Sequence, residues 1–577
     1  MPTPFADRLQ MQHRLFAELS RMFATEVPLY DRSLLANAVC NRAVCDLLAQ
    51  MYPGFQVSDA QLEKDSGERH GAIRIGRRDE YRWIARFFAQ FGMEPHAFYD
   101  MSSVGARSQP IVATAYRSVV NPEHRVFTSL LQTDYFDDAT RARIEATLAQ
   151  RQVFSDRARA LIEQAERDGG LSWEDAEALI REATQRIFKW TGTARDLALY
   201  KELCAGGFKI AADIACFDRH HLNHLTPNTF CMDLYTATMK HCMGEMDEAQ
   251  FRARATAALT RLAATADRDF LRLTFRHLSP AQIAGFRSAP VGPETVRALV
   301  DRLVERTRQP DLDLRSLPHA GFKDFTEGPS ADTPIFLRQD AYRALTEPVR
   351  FTNPDGSVVD ATHTARFGEI EQRFYAATPE GRALYDHCLA AAEAARAADP
   401  GLAKRDPAAY DAAYASHFAP LPKTLAGMLR QGFVYGRYAP TRRGLAARGT
   451  IATTDIHELV SLGYASAEGL RCEDFLPVSA AGIFASNLNQ YGTASTAKSR
   501  PVYTRRMLEE IMGRPIVDSE AVYAGMEAQS LLDTYARLGL LESLSPAHRE
   551  SLESAAAALP DAVREAAHAE SEALALV

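Results

Sequence analysis

His363-Thr-Ala-Arg-Phe-Gly-Glu-Ile-Glu-Gln-Arg373 is the stretch of this 577-residue chain that most directly indicates its fold. We interpret it as a buried β-strand, in which alternate residues share one face. On that period one face carries five residues: His363, Ala365, Phe367, Glu369 and Glu371. A buried strand with two carboxylates must pair or coordinate them, because an unpaired buried charge is costly. The stretch therefore predicts a polar centre inside the protein.

The spacing of these carboxylates leaves two interpretations open. In the first, Glu369 or Glu371 forms a structural ion pair with Arg366 or Arg373. In the second, one carboxylate is a metal ligand. The choice depends on which other polar side chains reach the same place.

Histidines stand in similar surroundings in two distant segments, Glu68-Arg-His-Gly-Ala-Ile-Arg74 and His220-His-Leu-Asn-His-Leu-Thr-Pro227. In an extended segment His220 and His224 share a face, whereas in a helix they pair at i and i+4. A surface loop with incidental histidines is the alternative. Two imidazoles and one carboxylate from separate segments match the ligand set of non-heme Fe(II) oxygenases, which leaves one side of the metal open.

Composition limits the possible partners. The chain is 46% hydrophobic and 24% charged, as in ordinary globular proteins, and its net charge is −8. With no basic cluster, we expect neither nucleic acid nor a membrane as a partner. The eight cysteines include no C-x-x-C pair, and together with the lack of a secretory signal they predict a cytoplasmic protein. The composition does not indicate the oligomeric state.

We expect four parts along the chain, from the pattern of apolar residues together with the resemblance given below. Residues 1–239 combine N-terminal helices with the first part of a metal-binding core, and 316–500 contain its second part with the substrate pocket. Between them, 240–315 form a helical insert, and 501–577 a C-terminal helical segment and tail. Ser172 predicts a helix start by capping, and Pro293 suits a first helical turn.

Several long stretches of the chain resemble one family, the bacterial 2-oxoadipate dioxygenase/decarboxylases, also called hydroxyglutarate synthases. The similarity runs in order across most of residues 20–240 and 330–530. The stretches that carry it are 26–30, 68–76, 125–131, 221–227, 334–339, 362–373 and 475–484.

This resemblance implies an α+β fold with a vicinal-oxygen-chelate-like curved β-sheet that cups one metal and is surrounded by extra helices. The family is distantly similar to hydroxyphenylpyruvate dioxygenase, whose last strand carries its glutamate ligand in an F-x-E-I-x-Q-R context. That comparison selects Glu369 over Glu371 as the ligand. In the family motif H-x-N-H-L-T-P the second histidine binds iron, which selects His224 over His221.

The resemblance also implies roles for individual residues. The metal ligands are His70, His224 and Glu369, and Arg74 binds a substrate carboxylate, a task that suits its planar fork. Val478 and Ser479 line the far end of the substrate pocket. As residues that orient the ligands we expect three more: His221, Gln339 and His363.

The implied reaction converts 2-oxoadipate and O2 to D-2-hydroxyglutarate and CO2 with Fe(II), as a step of lysine catabolism. Two departures bear on the substrate: Val112 stands where the family has His, and Asn228 where it commonly has Arg. The alternatives are the same chemistry on a different 2-oxo acid, and a Zn or Mn isomerase or lyase. A non-catalytic interaction protein that docks through 240–315 is the alternative from another class.

Overall fold

The computed structural model describes residues 5–103, 109–318, 321–323, 325–342, 345–364, 366–475, 503–561 and 563–564. Its central feature is a five-stranded mixed sheet, in which the strand order is β2-β3-β4-β1-β6. These strands are β1 (Glu68–Ile75), β2 (Glu94–Asp100), β3 (Ile111–Arg117), β4 (Arg125–Leu131) and β6 (His224–Pro227). β1 runs parallel to β4 and antiparallel to β6, so it lies inside the sheet.

The described residues also form three smaller sheets. β5 (Thr193–Arg195), β8 (Thr346–Thr352) and β9 (Val358–Thr364) form one of them. The other two are antiparallel pairs of β7 (Leu337–Ala341) with β10 (Glu369–Arg373), and of β11 (Gly436–Pro440) with β12 (Ala465–Gly469).

Helices surround these sheets, as the α+β expectation requires. Their bounds are Arg8–Glu26, Pro28–Met51, Asp59–Asp65, Arg78–Gln90, Asp138–Ala149, Asp156–Asp168, Trp173–Glu182, Leu197–Ala205, Lys209–Cys216, Met232–Cys242, Glu248–Thr265, Arg268–Thr274, Pro280–Gly285, Pro293–Thr307, Pro379–Ala398, Leu402–Arg405, Pro407–His417, Leu425–Arg430, Arg442–Ala446, Ile456–Ser461, Arg505–Met512, Ser519–Leu538 and Pro546–Ala557. Ser172 caps its helix by accepting a hydrogen bond from Asp175 N, and Pro293 occupies a first turn, both as predicted. The division into four parts stays a prediction.

The two faces of the main sheet have different environments. Ile73 and Ile75 of β1 pack into a large apolar core with the N-terminal helices Arg8–Glu26 and Pro28–Met51. Ala72 belongs to a second apolar cluster on the opposite face, with Phe127 among its members. Because strand residues alternate, His70 and Arg74 lie on the Ala72 side. The sequence of β1 thus separates a structural face from a face that carries polar groups.

The stretch 363–373 is not one strand, and this corrects the sequence prediction. His363 lies in β9, which pairs with β8, whereas Glu369 begins β10, which pairs with β7. Between them, buried Arg366 donates hydrogen bonds to Glu347 and Glu26 and holds the chain where it passes from one sheet to the other. The alternation therefore does not place His363 on the same face as Glu369.

Among the residues that the structure describes, no helix is both long and apolar enough to cross a membrane.

Gly368, directly before β10, has no room for a side chain. A Cβ at this position would overlap the ring of Tyr342, which is itself buried. We expect Gly368→Ala to lower the free energy of unfolding by about 1–3 kcal/mol, because a close-packed ring must move. Denaturant unfolding measures the loss.

The matched control is Gly285→Ala at a helix end, where the added Cβ meets nothing within 4 Å. This variant should stay within about 0.5 kcal/mol of the parent protein. Equal stability of both variants and the parent would contradict the packing argument.

Candidate metal centre

Three buried side chains from distant parts of the chain meet on the polar face of the main sheet. One ligand atom each from His70, His224 and Glu369 lies within 4.8 Å of the other two. The Nε2 atoms of His70 and His224 are 3.3 Å and 3.6 Å from Glu369 Oε2. The two imidazole rings are nearly perpendicular, with centroids 5.4 Å apart. The structure therefore brings together the three residues that were expected to bind the metal.

Strand register explains why the two histidines meet. In the antiparallel pair of β1 and β6, His70 is opposite Thr226 and His224 is opposite Ala72. Directly opposed residues share a face, and so do residues two apart on one strand. His70 and His224 are therefore diagonal neighbours on one face. Gly71 allows the close approach, since a Cβ there would be 3.2 Å from the backbone oxygen of His224.

Glu369 reaches the histidines because β10 runs beside the β6 segment. Phe367 N donates to Asn223 O at 3.1 Å, and Thr229 N donates to Glu371 O at 2.8 Å. These bonds fix the start and the middle of β10 against the chain that carries His224. Glu369 Oε2 also accepts a hydrogen bond from the Thr226 hydroxyl at 3.3 Å.

The protonation of the centre suits a cation. Burial lowers the pKa of His224 to about 4, so its imidazole is neutral at physiological pH. Burial raises the pKa of Glu369, but the opposing effects of His224 and His70 are larger and its pKa falls below the ordinary value. Among the described residues, His224 Nε2 and Glu369 Oε1 have no hydrogen-bond partner. Buried nitrogen and oxygen atoms without hydrogen-bond partners can serve as metal ligands, so this geometry fits a metal ion that binds all three side chains.

The Glu371 carboxylate lies beside the His70 nitrogen that faces away from Glu369. Its Oε2 atom is 2.9 Å from His70 Nδ1 and accepts a hydrogen bond of 2.7 Å from Arg125 of β4. Arg373 contacts its other oxygen. Burial alone would raise the pKa of Glu371, but the two arginines hold it well below its usual range. A carboxylate this close to one nitrogen of a histidine favours the tautomer that leaves the other nitrogen available to a metal.

Aromatic rings enclose the centre. Phe475 packs edge-on against His70 with centroids 4.7 Å apart, and Phe367 stacks on His224 at 5.1 Å. The Arg125 guanidinium lies 4.6 Å from the Phe475 ring centroid. These rings restrict the imidazoles and exclude water from one side of the centre.

Arg74 lies on the same face of β1 as His70 and is buried. Its Nη1 atom donates to Asp213 Oδ2. Ser129 is opposite Arg74 on β4, is also buried, and its hydroxyl has no partner among the described residues. A guanidinium and a hydroxyl therefore lie on the same face of the sheet as the histidines.

The other residues that were expected near the metal differ in their positions. Gln339 is buried and pairs in register with Glu371. His221 and His363 belong to a different group, around Asp213. His220 contacts Glu80 at 3.2 Å and does not pair with His224. Val478 and Ser479 lie outside the described residues.

Two departures from the family pattern have structural explanations. Val112 is opposite Leu130 on β4 and belongs to the apolar core, so it points away from the face that carries His70. Asn228 donates to Asp65 O at 2.9 Å, and its backbone oxygen accepts from Asn37. Both residues have packing or hydrogen-bonding roles away from the three candidate ligands.

Sequence reasoning missed the roles of Asp213, Arg125 and Ser129. Asp213 stood as a lone carboxylate in the apolar run Ile210-Ala-Ala-Asp-Ile-Ala-Cys216, which is a signal that a buried partner exists. Arg125 and Ser129 carried no such signal, because the partner of Arg125, Glu371, is distant in sequence, and Ser129 faces the site only through the register of β4 with β1.

Replacing Glu371 with Gln should weaken metal binding. The neutral amide keeps the shape of the side chain but binds His70 and the arginines more weakly. We expect the dissociation constant for Fe(II), measured anaerobically by chelator competition, to rise about 10–100-fold.

Glu473→Gln is the matched control, because Glu473 is a second buried carboxylate on Arg373 that does not contact His70. We expect it to affect stability but not Fe(II) affinity. Equal losses of affinity in the two variants would show that Glu371 acts only through Arg373.

Comparisons with known proteins show which family the chain belongs to. The family model described as 2-oxoadipate dioxygenase/decarboxylase matches residues 15–249 and 244–487. A protein of that name from Pseudomonas putida is 34% identical over 523 residues, which are 89% of this chain and 94% of the relative. Another, from Escherichia coli, is 31% identical over 90% of this chain and 97% of its own length.

A solved structure is also similar, that of hydroxyglutarate synthase from Pseudomonas putida in complex with 2-oxoadipate. It aligns with a TM-score of 0.63 and 32% identity, and covers 93% of this chain and 99% of its own. On the matching family model, the similarity to curated relatives along most of the chain and this shared fold, the protein belongs to the 2-oxoadipate dioxygenase/decarboxylase family.

Proposed function

We propose that this protein is an Fe(II)-dependent dioxygenase that converts 2-oxoadipate and O2 to D-2-hydroxyglutarate and CO2. The observation that carries the proposal is the buried group of His70, His224 and Glu369, whose donor atoms converge and are partly without hydrogen bonds. Fe(II) held by these three residues would supply the chemistry that activates O2 and binds a 2-oxo acid. The relatives' names and the 2-oxoadipate complex of the Pseudomonas putida enzyme support the choice of substrate.

Side chains of the protein would hold the metal ion and orient its ligands. The imidazoles of His70 and His224 and the ionised Glu369 would hold the cation, and the Glu371 carboxylate, 2.9 Å from His70 Nδ1, restrains the His70 ring. Phe475 and Phe367 shield these ligands from water. In such surroundings the charges that develop on the substrate interact strongly with fixed groups.

Arg74 is the proposed anchor for the distal carboxylate. His70 and Arg74 are four residues apart on one strand, about 13 Å between Cα atoms at ~3.3 Å per residue. Both side chains lie on one face of the sheet, and this separation of the two Cα atoms leaves room between the side chains for a six-carbon diacid. Ser129, opposite Arg74, is a further hydrogen-bond donor for that carboxylate. Val478 and Ser479 remain proposed residues of the far end of the pocket.

The cytoplasmic setting belongs to the same proposal. All eight cysteines lie in the described part of the chain and none of them forms a disulfide. Free buried cysteines are typical of proteins from reducing compartments.

The decisive test is anaerobic reconstitution with Fe(II), followed by O2 uptake and product analysis with 2-oxoadipate. We expect stoichiometric CO2 and D-2-hydroxyglutarate. His224→Ala and Glu369→Ala should abolish both, because each removes a ligand. His241→Ala is the control, since His241 bonds to the Met246 backbone oxygen away from the centre.

Each other outcome has a defined meaning. Uptake with another 2-oxo acid only would keep the chemistry and change the substrate. Absence of uptake from protein shown to hold iron would refute the oxygenase, and tight zinc binding without O2 consumption would favour a non-redox isomerase or lyase.

The anchoring role of Arg74 is tested by comparing substrates with and without a distal carboxylate. Arg74→Lys keeps the charge but loses the bidentate fork, so we expect kcat/KM for 2-oxoadipate to fall about tenfold or more. With 2-oxohexanoate, in which a methyl group replaces the distal carboxylate, parent and variant should be equally active. Parallel losses on both substrates would assign Arg74 a purely structural role.

A further inference from the structure

A second group of potential metal ligands includes Asp213, the hydrogen-bond partner of Arg74. One atom each from Asp213, His221 and His363 lies within 4.8 Å of the other two, and all three residues are buried. They come from the helix Lys209–Cys216, from the segment before β6, and from β9. Three ligand-type side chains from separate elements therefore converge at one point.

The atoms that face each other in this group lack hydrogen bonds. Within the described residues, Asp213 Oδ1, His221 Nε2 and His363 Nε2 have no partner of good geometry, although the first two are 3.3 Å apart. The proposed iron ligands show the same pattern of convergent, unsatisfied atoms. Buried polar atoms without partners are rare and call for an occupant.

The remaining contacts hold the ligands in orientations that suit a metal. His363 Nδ1 is 2.9 Å from the Tyr200 hydroxyl, which can accept its N–H and so leave Nε2 free. His363 also packs on Phe217, with centroids 4.5 Å apart, and His221 packs against Trp190 at 4.8 Å. Rotation of either imidazole would disrupt this packing.

From this geometry we infer that Asp213, His221 and His363 form a second metal site, and that it binds Zn²⁺. Two imidazole nitrogens and one carboxylate oxygen are a common zinc ligand set, and a fourth position stays open for water. Burial lowers the pKa of the His363 imidazole well below its ordinary value, which keeps it neutral. Burial raises the pKa of Asp213, but His221 and Arg74 together lower this pKa by more than burial raises it. The carboxylate is therefore charged.

Two positively charged side chains nearby reduce the affinity of this site for Zn²⁺. Asp213 Oδ2 already accepts from Arg74, and the positive charge of Lys209 also acts on His363. Both cations oppose a second positive ion, so this site binds Zn²⁺ more weakly than the first centre. When bound, Zn²⁺ holds Asp213 between itself and Arg74. The site does not depend on the proposed oxygenase activity.

The test is the number of zinc ions per chain. The full-length protein is stripped with a chelator, dialysed against Zn²⁺ and analysed for metal content. We expect two Zn²⁺ in the parent protein, one in His363→Phe, one in His224→Ala, and none in the double variant. Chelator titration of the parent should remove the second-site ion first.

The variants are chosen to preserve folding. Phenylalanine at 363 retains the aromatic contacts, and Asp213→Asn, which retains the side-chain shape, should likewise bind one ion. His241→Phe is the matched control, next to an aromatic ring at Phe251, and should bind two. Any variant that still binds Zn²⁺ at the first centre is folded there.

Crystals of the Zn²⁺-loaded parent decide the location independently of any variant. Anomalous scattering at the zinc edge should show a peak between Asp213, His221 and His363. Absence of this peak, or a His363→Phe variant that retains every zinc ion of the parent, would overturn the inference.

Discussion

The buried carboxylate of Glu371 is the constraint on which the rest of the centre depends. It contacts His70 of β1, Arg125 of β4 and Arg373 of its own strand, so it joins the main sheet to the β7–β10 pair. A charge at this depth is stable only when several partners surround it. Those partners can meet only if β10 lies against β6, and that arrangement also delivers Glu369 to the histidines.

Strand β1 combines two requirements in eight residues. Its odd-numbered isoleucines, Ile73 and Ile75, fill the apolar core, while His70 and Arg74 face the opposite side. The apolar core face fixes the polar face, so the candidate ligand His70 and the proposed anchor Arg74 are held at a constant separation. Burying both faces of a central strand is the usual arrangement when helices cover the sheet, and here one of the faces carries chemistry.

The two polar centres are adjacent but electrostatically different. The first has Glu369 and Glu371 close to its histidines, whereas the second has one carboxylate that is shared with Arg74. His221 and His224 belong to different centres although three positions separate them, because the chain between Phe217 and β6 is irregular. Arg74 links the two, since its partner Asp213 belongs to the second group.

The sequence by itself determined the class of fold, the capped helices and the identity of the three converging residues. Local periodicity and the motifs shared with the family can each be recognised within a short segment. The sequence did not determine that 363–373 divides between two sheets, or that Asp213 pairs with Arg74. Those outcomes depend on side chains far apart in sequence, such as Tyr342 beside Gly368 and Glu26 on Arg366. Only the tertiary structure decides them, because the burial that makes an ion pair or a close contact compulsory arises when distant segments pack together.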